Sequence, residues 1–221
     1  MSDKSRQHVA AKIPQSYLIL TPFIGLATFI GLYLLATLLY PGGSQANQHS
    51  LGFSWLHNYW CNLLNPLAID GQPNAARPLA VLAMLVLCVS LASFWYLLPT
   101  LFAFSRPINT LIQGAGILSM LLTSLIFTPY HDLVINVAGL FSLIALSYTF
   151  RGLYQHHYRR LFWFGLGCLG LIGCNNYIYY SQHYLYYLPL LQKITFGCFL
   201  GCIGVLNWNV FNKVNFADEG R

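Results

Sequence analysis

The sequence predicts an all-α polytopic membrane protein, a bundle of six transmembrane helices with a short interfacial helix in the first outer loop. Of its 221 residues, 57% are hydrophobic and only 7% are charged, whereas a soluble domain carries about 25% charged residues. The apolar residues form runs near the roughly 20 residues that a helix needs to cross the hydrocarbon core. A membrane barrel would instead show short alternating strands, so helical spans are predicted.

The apolar runs define six spans within a single domain, residues 1–221. They are predicted at residues 17–40, 78–104, 108–128, 133–150, 161–180 and 185–210. The basic residues that flank them are Lys4, Arg6 and Lys12 before the first span and Arg151, Arg159 and Arg160 between the fourth and fifth. Basic residues favour the cytoplasmic side, so both termini are expected in the cytoplasm and loop 41–77 outside. The expected location is the cytoplasmic membrane, with an uncleaved first span.

Composition also limits the classes of partner. The net charge of +6 comes from a few basic residues at helix ends, which predicts topology signals and no nucleic-acid binding. Four of the six cysteines lie inside apolar runs and none forms a CxxC pair, so neither a disulfide framework nor a thiolate metal site is indicated. No cofactor is predicted, and membrane lipids are the expected partners.

Loop 41–77 is the longest polar connection in the chain. Pro41 and the two glycines after it end the first span, because proline cannot continue a helix. In residues 54–65 apolar side chains recur at helical spacing, and Trp55 and Trp60 have the amphipathic rings typical of the headgroup region. We predict a short helix here. It is either an interfacial anchor or a lid whose polar edge faces the bundle.

Polar side chains are concentrated at one end of the predicted bundle. Ionisable groups at membrane depth are costly and usually face a cavity or a partner, so this distribution predicts an outer pocket roofed by the loop. Its candidate ligand-binding residues are His57, Asn58, Asn62, Asp70, Arg77, His131, Asp132, Asn136, Asn175, Asn176, His183, Gln192 and Lys193. The expected ligand is a lipid headgroup or a small polar molecule, without catalysis.

Lys193 lies about two turns inside the sixth predicted span. Its ammonium either reaches the outer surface by extending its stem or pairs with a carboxylate. Of the two acids on that side, Asp132 at the start of the fourth span is the predicted partner, because Asp70 lies in a turn beside Gly71. Asp132 alternatively serves only to cap its own helix.

A membrane-embedded lipid hydrolase is the alternative function. His57, His131 and His183, with Asp132 or Asp70, would bind a zinc ion that activates water. In residue type this resembles the ceramidase-like membrane hydrolases. Their pair of histidines four apart on the last span is missing, because the sixth span has no histidine.

Several short strings resemble an uncharacterised bacterial six-span membrane family that is distantly similar to Frag- and DRAM-type proteins. They are YPGGS at the end of the first span, HNYWCNL, AIDG and NAARP in the loop, TPYHD at the second outer turn, and LPLLQKI opening the last span. The resemblance implies the six-span fold and a location in the bacterial inner membrane. For activity it implies only an analogy with lipid remodelling or sensing.

Overall fold

The computed structural model describes the backbone of residues 16–219 and the side chains of residues 19–214. Six helices make up most of this part of the chain. They are α1 (Ser16–Leu38), α2 (Arg77–Leu97), α3 (Arg106–Thr123), α4 (His131–Gln155), α5 (Arg159–Ser181) and α6 (Leu188–Glu219). Short 3-10 turns cover Trp60–Leu64, Leu98–Leu101 and Leu185–Tyr187. The described residues contain isolated bridges in the first loop but no strand, which confirms the all-α prediction.

Five segments are long and apolar enough to cross a membrane. They are Ile19–Leu38, Arg77–Leu101, His131–Gln155, Arg159–Ser181 and Leu185–Val214. The chain therefore has the helices of a multi-pass membrane protein. The helix outside this set is α3, which has 18 residues, begins at Arg106 and contains Asn109 and Gln113.

The helix ends differ from the predicted spans at several points, and α2 ends at Leu97 instead of residue 104. α3 ends at Thr123 instead of residue 128; turns follow, and Pro129 disfavours helical backbone just before it. α4 continues through Arg151 to Gln155. The left-handed backbone of His157 (φ 62°) then interrupts the helical conformation before α5. α6 continues beyond residue 210 to Glu219. The N-terminal basic residues 1–15 lie outside the described residues.

The predicted helix at 54–65 is much shorter than expected. Only Trp60–Leu64 is helical, as a 3-10 turn, between extended residues Tyr59 (ψ 151°) and Asn65 (ψ 148°). The side-chain oxygen of Asn58 accepts the backbone N–H of Ser54 at 2.8 Å, an alternative to helical hydrogen bonding. Side-chain bonds of this kind override the apolar periodicity from which the longer helix was predicted.

The six helices form a closed ring in chain order, with α6 returning to α1. α1 packs closely along α2: the Ser90 hydroxyl donates to the Pro22 carbonyl at 2.9 Å, and a Cβ at Gly25 would lie 2.4 Å from Ser90 Cβ. Loop 39–76, the 124–130 turn and the 182–187 turn lie together at one end of the ring, here called the loop end. The 98–105 and 156–158 connections lie at the opposite end.

Candidate functional site

Asn58 organises the first half of loop 39–76. It is fully buried, and its amide donates to the Gly43 carbonyl at 2.9 Å while its oxygen accepts from Ser54 N–H. One side chain thereby joins the start of the loop to its middle. Asn58 therefore stabilises the loop, and both of its polar side-chain atoms are already engaged within the protein.

Asn74 does the same for the second half, and the sequence prediction missed it. Its amide donates to the carbonyls of Asn62, Leu63 and Asn65 at 2.9–3.2 Å, and its oxygen accepts from the Ala76 N–H at 3.1 Å. In the sequence, Asn74 is only a polar residue shortly before the second predicted span. Its role depends on carbonyls 9 to 12 residues away, which no local pattern identifies.

Three more predicted site residues also hold the loop. Arg77 donates from Nε to the Leu64 carbonyl at 3.1 Å. Asn62 is buried, and its carbonyl accepts from the Asn74 amide at 3.0 Å; close by, the Tyr40 hydroxyl accepts the Ile69 N–H at 3.0 Å. Asp70 accepts the N–H of the residue two positions later, Gln72, at 3.0 Å, which closes a turn.

Gly43 allows the chain to pass against Asp70. Its φ of 81° lies in the left-handed region, and a Cβ there would be 2.4 Å from the backbone nitrogen of Asp70. Only glycine fits both the backbone conformation and this close approach. The Gly-Gly pair thus sets the fold of the loop as well as the end of α1.

Gln192 and Lys193 attach α6 to the loop. The Lys193 ammonium donates to the Asn58 carbonyl and, at 2.9 Å, to the Pro189 carbonyl, and it lies 5.7 Å from the centre of the Phe53 ring. Gln192 Oε1 accepts the Trp60 N–H at 3.2 Å. Two backbone carbonyls therefore take the place that was predicted for a carboxylate.

The predicted Lys193–Asp132 ion pair is wrong. Among the described side chains, the Asp132 carboxylate contacts His131 Nδ1 at 3.2 Å, and the Asp132 side chain is 80% exposed. Asp132 lies in the first turn of a helix that packs against α3 and, near its far end, α5, whereas Lys193 faces the loop. The sequence shows which acids lie on the same side of the membrane as Lys193, but it does not show that Lys193 and Asp132 contact different parts of the bundle.

The loop packs tightly on the helices below it. The Trp60 ring lies 5.0 Å from Tyr33 and 5.1 Å from Phe196, and the Tyr33 hydroxyl donates to the Trp60 carbonyl at 3.1 Å. Next to it, burial raises the pKa of the Cys61 thiol above its ordinary range. A thiol held neutral in this way reacts slowly with alkylating reagents at neutral pH.

His57 connects the loop to the α5–α6 turn. Its Nε2 hydrogen-bonds the Tyr186 hydroxyl at 2.8 Å, and its Nδ1 lies 3.3 Å from the Ser54 hydroxyl. Both ring nitrogens thus have partners within the protein. His57 therefore belongs with the loop-stabilising residues.

The remaining predicted residues lie on the other side of the loop end, and most are exposed. Asn136 donates to the Asp132 carbonyl at 2.8 Å, and His183 Nδ1 lies 2.9 Å from the Ser181 carbonyl. Asn176 is exposed on α5. We call His131, Asp132, Asn136, Asn175, Asn176 and His183 the rim.

The rim lies where α4 begins and α5 ends, two helices that make few contacts with each other. These helices touch near their connecting turn, where Phe162 packs 5.8 Å from Phe150 and 5.5 Å from Tyr154. Toward the loop end, α4 packs on α3 through Ser119 and Ser142, whose hydroxyls are 2.6 Å apart. α5 there packs on α6 instead, through Asn175 and Thr195. The α4–α5 side-chain contacts are concentrated near their connecting turn.

A small apolar cavity of about 30 Å³ lies between the helices in the half of the bundle near that turn. α2, α4, α5 and α6 line it with aromatic and aliphatic side chains, including Trp95, Phe150 and Phe199. The hydroxyl of Thr149, which also lines it, already donates to the Ala145 carbonyl at 2.8 Å. The cavity walls thus suit hydrocarbon.

The zinc ligands of the alternative hydrolase do not come together. Among the described residues, no three or more histidine, cysteine, aspartate or glutamate side chains are placed to share a metal ion. His57 contacts Tyr186, His131 contacts Asp132, and His183 bonds within its own turn. No contact among the described residues favours the hydrolase.

Comparison with protein families, curated proteins and solved structures finds no match for this chain. The resemblance to the bacterial six-span family therefore remains a prediction based on its short strings. In the structure those strings meet: Asn58 and Trp60 of HNYWCNL contact Lys193 and Gln192 of LPLLQKI. They build the loop and its attachment to α6.

Proposed function

We propose that the protein is a six-span protein of the bacterial inner membrane that binds a membrane lipid, with the headgroup at the rim. The observation that carries this proposal is how the predicted polar residues divide. Those under the loop are bonded mainly to backbone groups, whereas the rim residues are mostly exposed at the ends of two helices that make few contacts with each other. A polar rim above the apolar faces of two loosely paired helices suits an amphiphile.

α3 is the sixth span in this proposal. Its 18 residues extend about 27 Å at 1.5 Å per residue, close to the thickness of the hydrocarbon core. It lies in the ring between α2 and α4. The amide of Gln113 donates to the Tyr96 carbonyl at 2.8 Å, which compensates for placing that side chain beside lipid.

The charge distribution supports a cytoplasmic opposite end. Exposed basic residues there are Arg106, Arg151, Arg159, Arg160 and Lys213, of which Lys213 also donates to the Leu101 carbonyl at 2.9 Å. At the loop end, the cations Arg77 and Lys193 are bonded to carbonyls. Exposed rings at that end, including Tyr130, Tyr177, Tyr180 and Tyr184, are typical of the membrane interface. The loop would then be a fixed cap at headgroup depth.

Cysteine labelling tests this orientation. Because the Cys61 thiol is buried, we choose the exposed Gln48 of the loop and the exposed Gln155 at the opposite end, each replaced by cysteine in a cysteine-free chain. An impermeant maleimide should label position 48 in intact cells and position 155 only after permeabilisation. The reverse pattern would overturn the proposed orientation.

Headgroup binding is tested by native mass spectrometry of the purified protein with phosphatidylethanolamine and phosphatidylglycerol. The rim double variant His131→Ala, Asp132→Asn should lower retention of the bound lipid at least about tenfold, the effect of losing about 1.4 kcal/mol. The matched control is His157→Ala, an exposed histidine at the opposite end. Equal retention by the rim variant and the control would contradict the proposal.

A further inference from the structure

Three of the six cysteines lie together at the contact between α5 and α6. Cys168 of α5 and Cys202 of α6 are buried and line the same apolar cavity. Cys198 lies one turn before Cys202 on α6 and is half-buried. Cys168 is close enough to both α6 thiols to interact with them electrostatically, and all three thiols are free. The structure therefore places one thiol of α5 beside two of α6.

The register of the two helices explains this grouping. α5 and α6 run antiparallel across a short turn, and the Asn175 amide donates to the Thr195 hydroxyl at 2.7 Å. Seven residues make about two helical turns, so seven residues back from Asn175 and seven forward from Thr195 lie on the same faces and at one level. Those positions are Cys168 and Cys202. The two cysteines therefore face each other across the interface.

The surroundings of the pair suit a disulfide. A single buried cysteine usually packs only as a small apolar residue, but a facing pair has the further option of forming a bond. The bond needs Cβ atoms about 3.5–4.5 Å apart, and the cavity beside both side chains leaves room for them to change rotamer. Two neutral thiols would become a neutral disulfide, so no charge would be buried in the apolar cavity.

The depth of the thiols determines which oxidants reach them. Cys168 lies nine residues after Arg159, where α5 begins, and Cys198 lies ten residues after Leu188, where α6 begins. Each is therefore about 14–15 Å along a helix that is apolar enough to span the membrane, near the middle of a hydrocarbon core about 30 Å thick. Charged water-soluble oxidants are excluded from this depth. A quinone dissolves in lipid and accepts two electrons together with two protons.

We infer that these three cysteines form a redox site, which reduces a lipid-soluble quinone and ends as a disulfide between α5 and α6. The reaction begins at Cys198, the least buried of the three. The S–H bonds of Cys198 and Cys168 break and their sulfurs form one S–S bond, while both electrons and both protons pass to the quinone, which becomes a hydroquinone. Cys202 then replaces Cys198 by thiol–disulfide exchange, in which its sulfur bonds to Cys168 and its proton passes to the Cys198 sulfur.

The experiment uses the full-length protein in nanodiscs, reduced, freed of reductant without air and mixed with a fully substituted, short-tailed benzoquinone. After acid quenching, denaturation and alkylation of free thiols, disulfide-linked peptides are quantified by mass spectrometry and hydroquinone by its absorbance. Cys168 should be linked to α6, mainly to Cys202, and hydroquinone should form in an amount equal to the disulfide. Diamide, a general thiol oxidant, is added to a parallel sample.

Serine variants assign the role of each thiol. Cys168→Ser should abolish both the disulfide and the hydroquinone. Cys198→Ser should slow hydroquinone formation, whereas Cys202→Ser should leave its rate unchanged and leave Cys168 linked to Cys198. The matched control is Cys174→Ser, because Cys174 is exposed on the same helix, and it should change neither product.

Three results would overturn the inference. The first is a disulfide with diamide but none with the quinone, which would show neighbouring thiols that do not react with quinones. The second is no disulfide between α5 and α6 with either oxidant, which would leave the cysteines as packing residues. The third is unchanged hydroquinone formation in Cys168→Ser. The first two are measured on the unmodified protein and do not depend on how a variant folds, and none of the three involves lipid retention at the rim.

Discussion

The polar side chains on the two sides of the loop end differ in burial and in hydrogen bonding. On the side of α1, α2 and the loop, polar side chains are buried and bonded to backbone, as Asn58 and Asn74 are. On the side of α4 and α5, most rim side chains are exposed and the two helices make few contacts with each other. The most apolar window of α2 is 56% buried inside the protein, against 11% for α5. The first side maintains the fold, and the second is where we propose that a lipid binds.

Polar residues in a membrane protein are therefore weak evidence for a site until their partners are known. Seven residues were predicted to line a pocket because they are polar and lie at the outer end of the bundle, yet each has a partner in the loop or its supports. They are His57, Asn58, Asn62, Asp70, Arg77, Gln192 and Lys193. An irregular loop at the membrane surface contains many backbone groups that need hydrogen bonds. Asparagine, with both a donor and an acceptor, supplies them at close range.

The largest expected difference between the sides is for tryptophan truncation. Trp60→Ala removes a ring packed on Tyr33 and Phe196, and it should lower the free energy of unfolding by about 3–5 kcal/mol. Trp163→Ala on α5 removes a side chain that is 67% exposed and should cost less than about 1 kcal/mol. Denaturant unfolding in mixed micelles measures both. Similar losses would contradict the distinction between a packed and an open side.

Asparagine replacement should give a smaller contrast of the same kind. Asn74→Ala leaves three carbonyls and the Ala76 N–H without their partner and should cost about 2–3 kcal/mol. Asn176→Ala, exposed on α5, should change stability by less than about 0.5 kcal/mol. The same unfolding assay applies, and a neutral Asn74→Ala would mean that the loop is held by other contacts.

Replacing glycine by alanine should have opposite effects on stability at Gly116 and at Gly170. A Cβ at Gly116 of α3 would lie 2.3 Å from the Trp95 ring, so Gly116→Ala should destabilise by about 1–3 kcal/mol. At Gly170 of α5 no atom lies within 4 Å of the added Cβ, so Gly170→Ala should stabilise by up to about 1 kcal/mol. Thermal unfolding in nanodiscs compares the two. A destabilising Gly170→Ala would show that α5 is packed against something.

The smallest expected effect is the energetic coupling between Lys193 and Asp132, which should be close to zero. Because Lys193 binds carbonyls and Asp132 pairs with His131, the losses from Lys193→Met and Asp132→Asn should add, with a coupling energy below about 0.5 kcal/mol. The double-mutant cycle is measured by unfolding. Recovery of stability in the double variant would restore the ion pair that the sequence predicted.

Sequence reasoning predicted the helices well because apolar length is a local property that lipid enforces. It predicted α2 from 78–104, and the structure has Arg77–Leu97 followed by a 3-10 turn to Leu101. It failed where partners are distant in the chain. The bond from Lys193 to Asn58 spans 135 residues, and it cannot be anticipated from either segment alone. The apolar patterns of α4 and α5 likewise do not show which neighbouring helices each of them packs against.

Disulfide cross-linking tests the central claim most directly, namely that α4 and α5 are apart toward the loop end. Phe150 lies opposite Gly165, so seven residues along each antiparallel helix would place Leu143 opposite Ile172 if the helices stayed in contact. Cysteine pairs at 119/142, 175/195 and 143/172 are introduced into a cysteine-free chain in native membranes. The first two pairs replace side chains now in hydrogen-bond contact and should cross-link rapidly under mild oxidation, whereas 143/172 should not. Cross-linking of 143/172 at the same rate as the other pairs would show a closed wall, and no lipid could enter there.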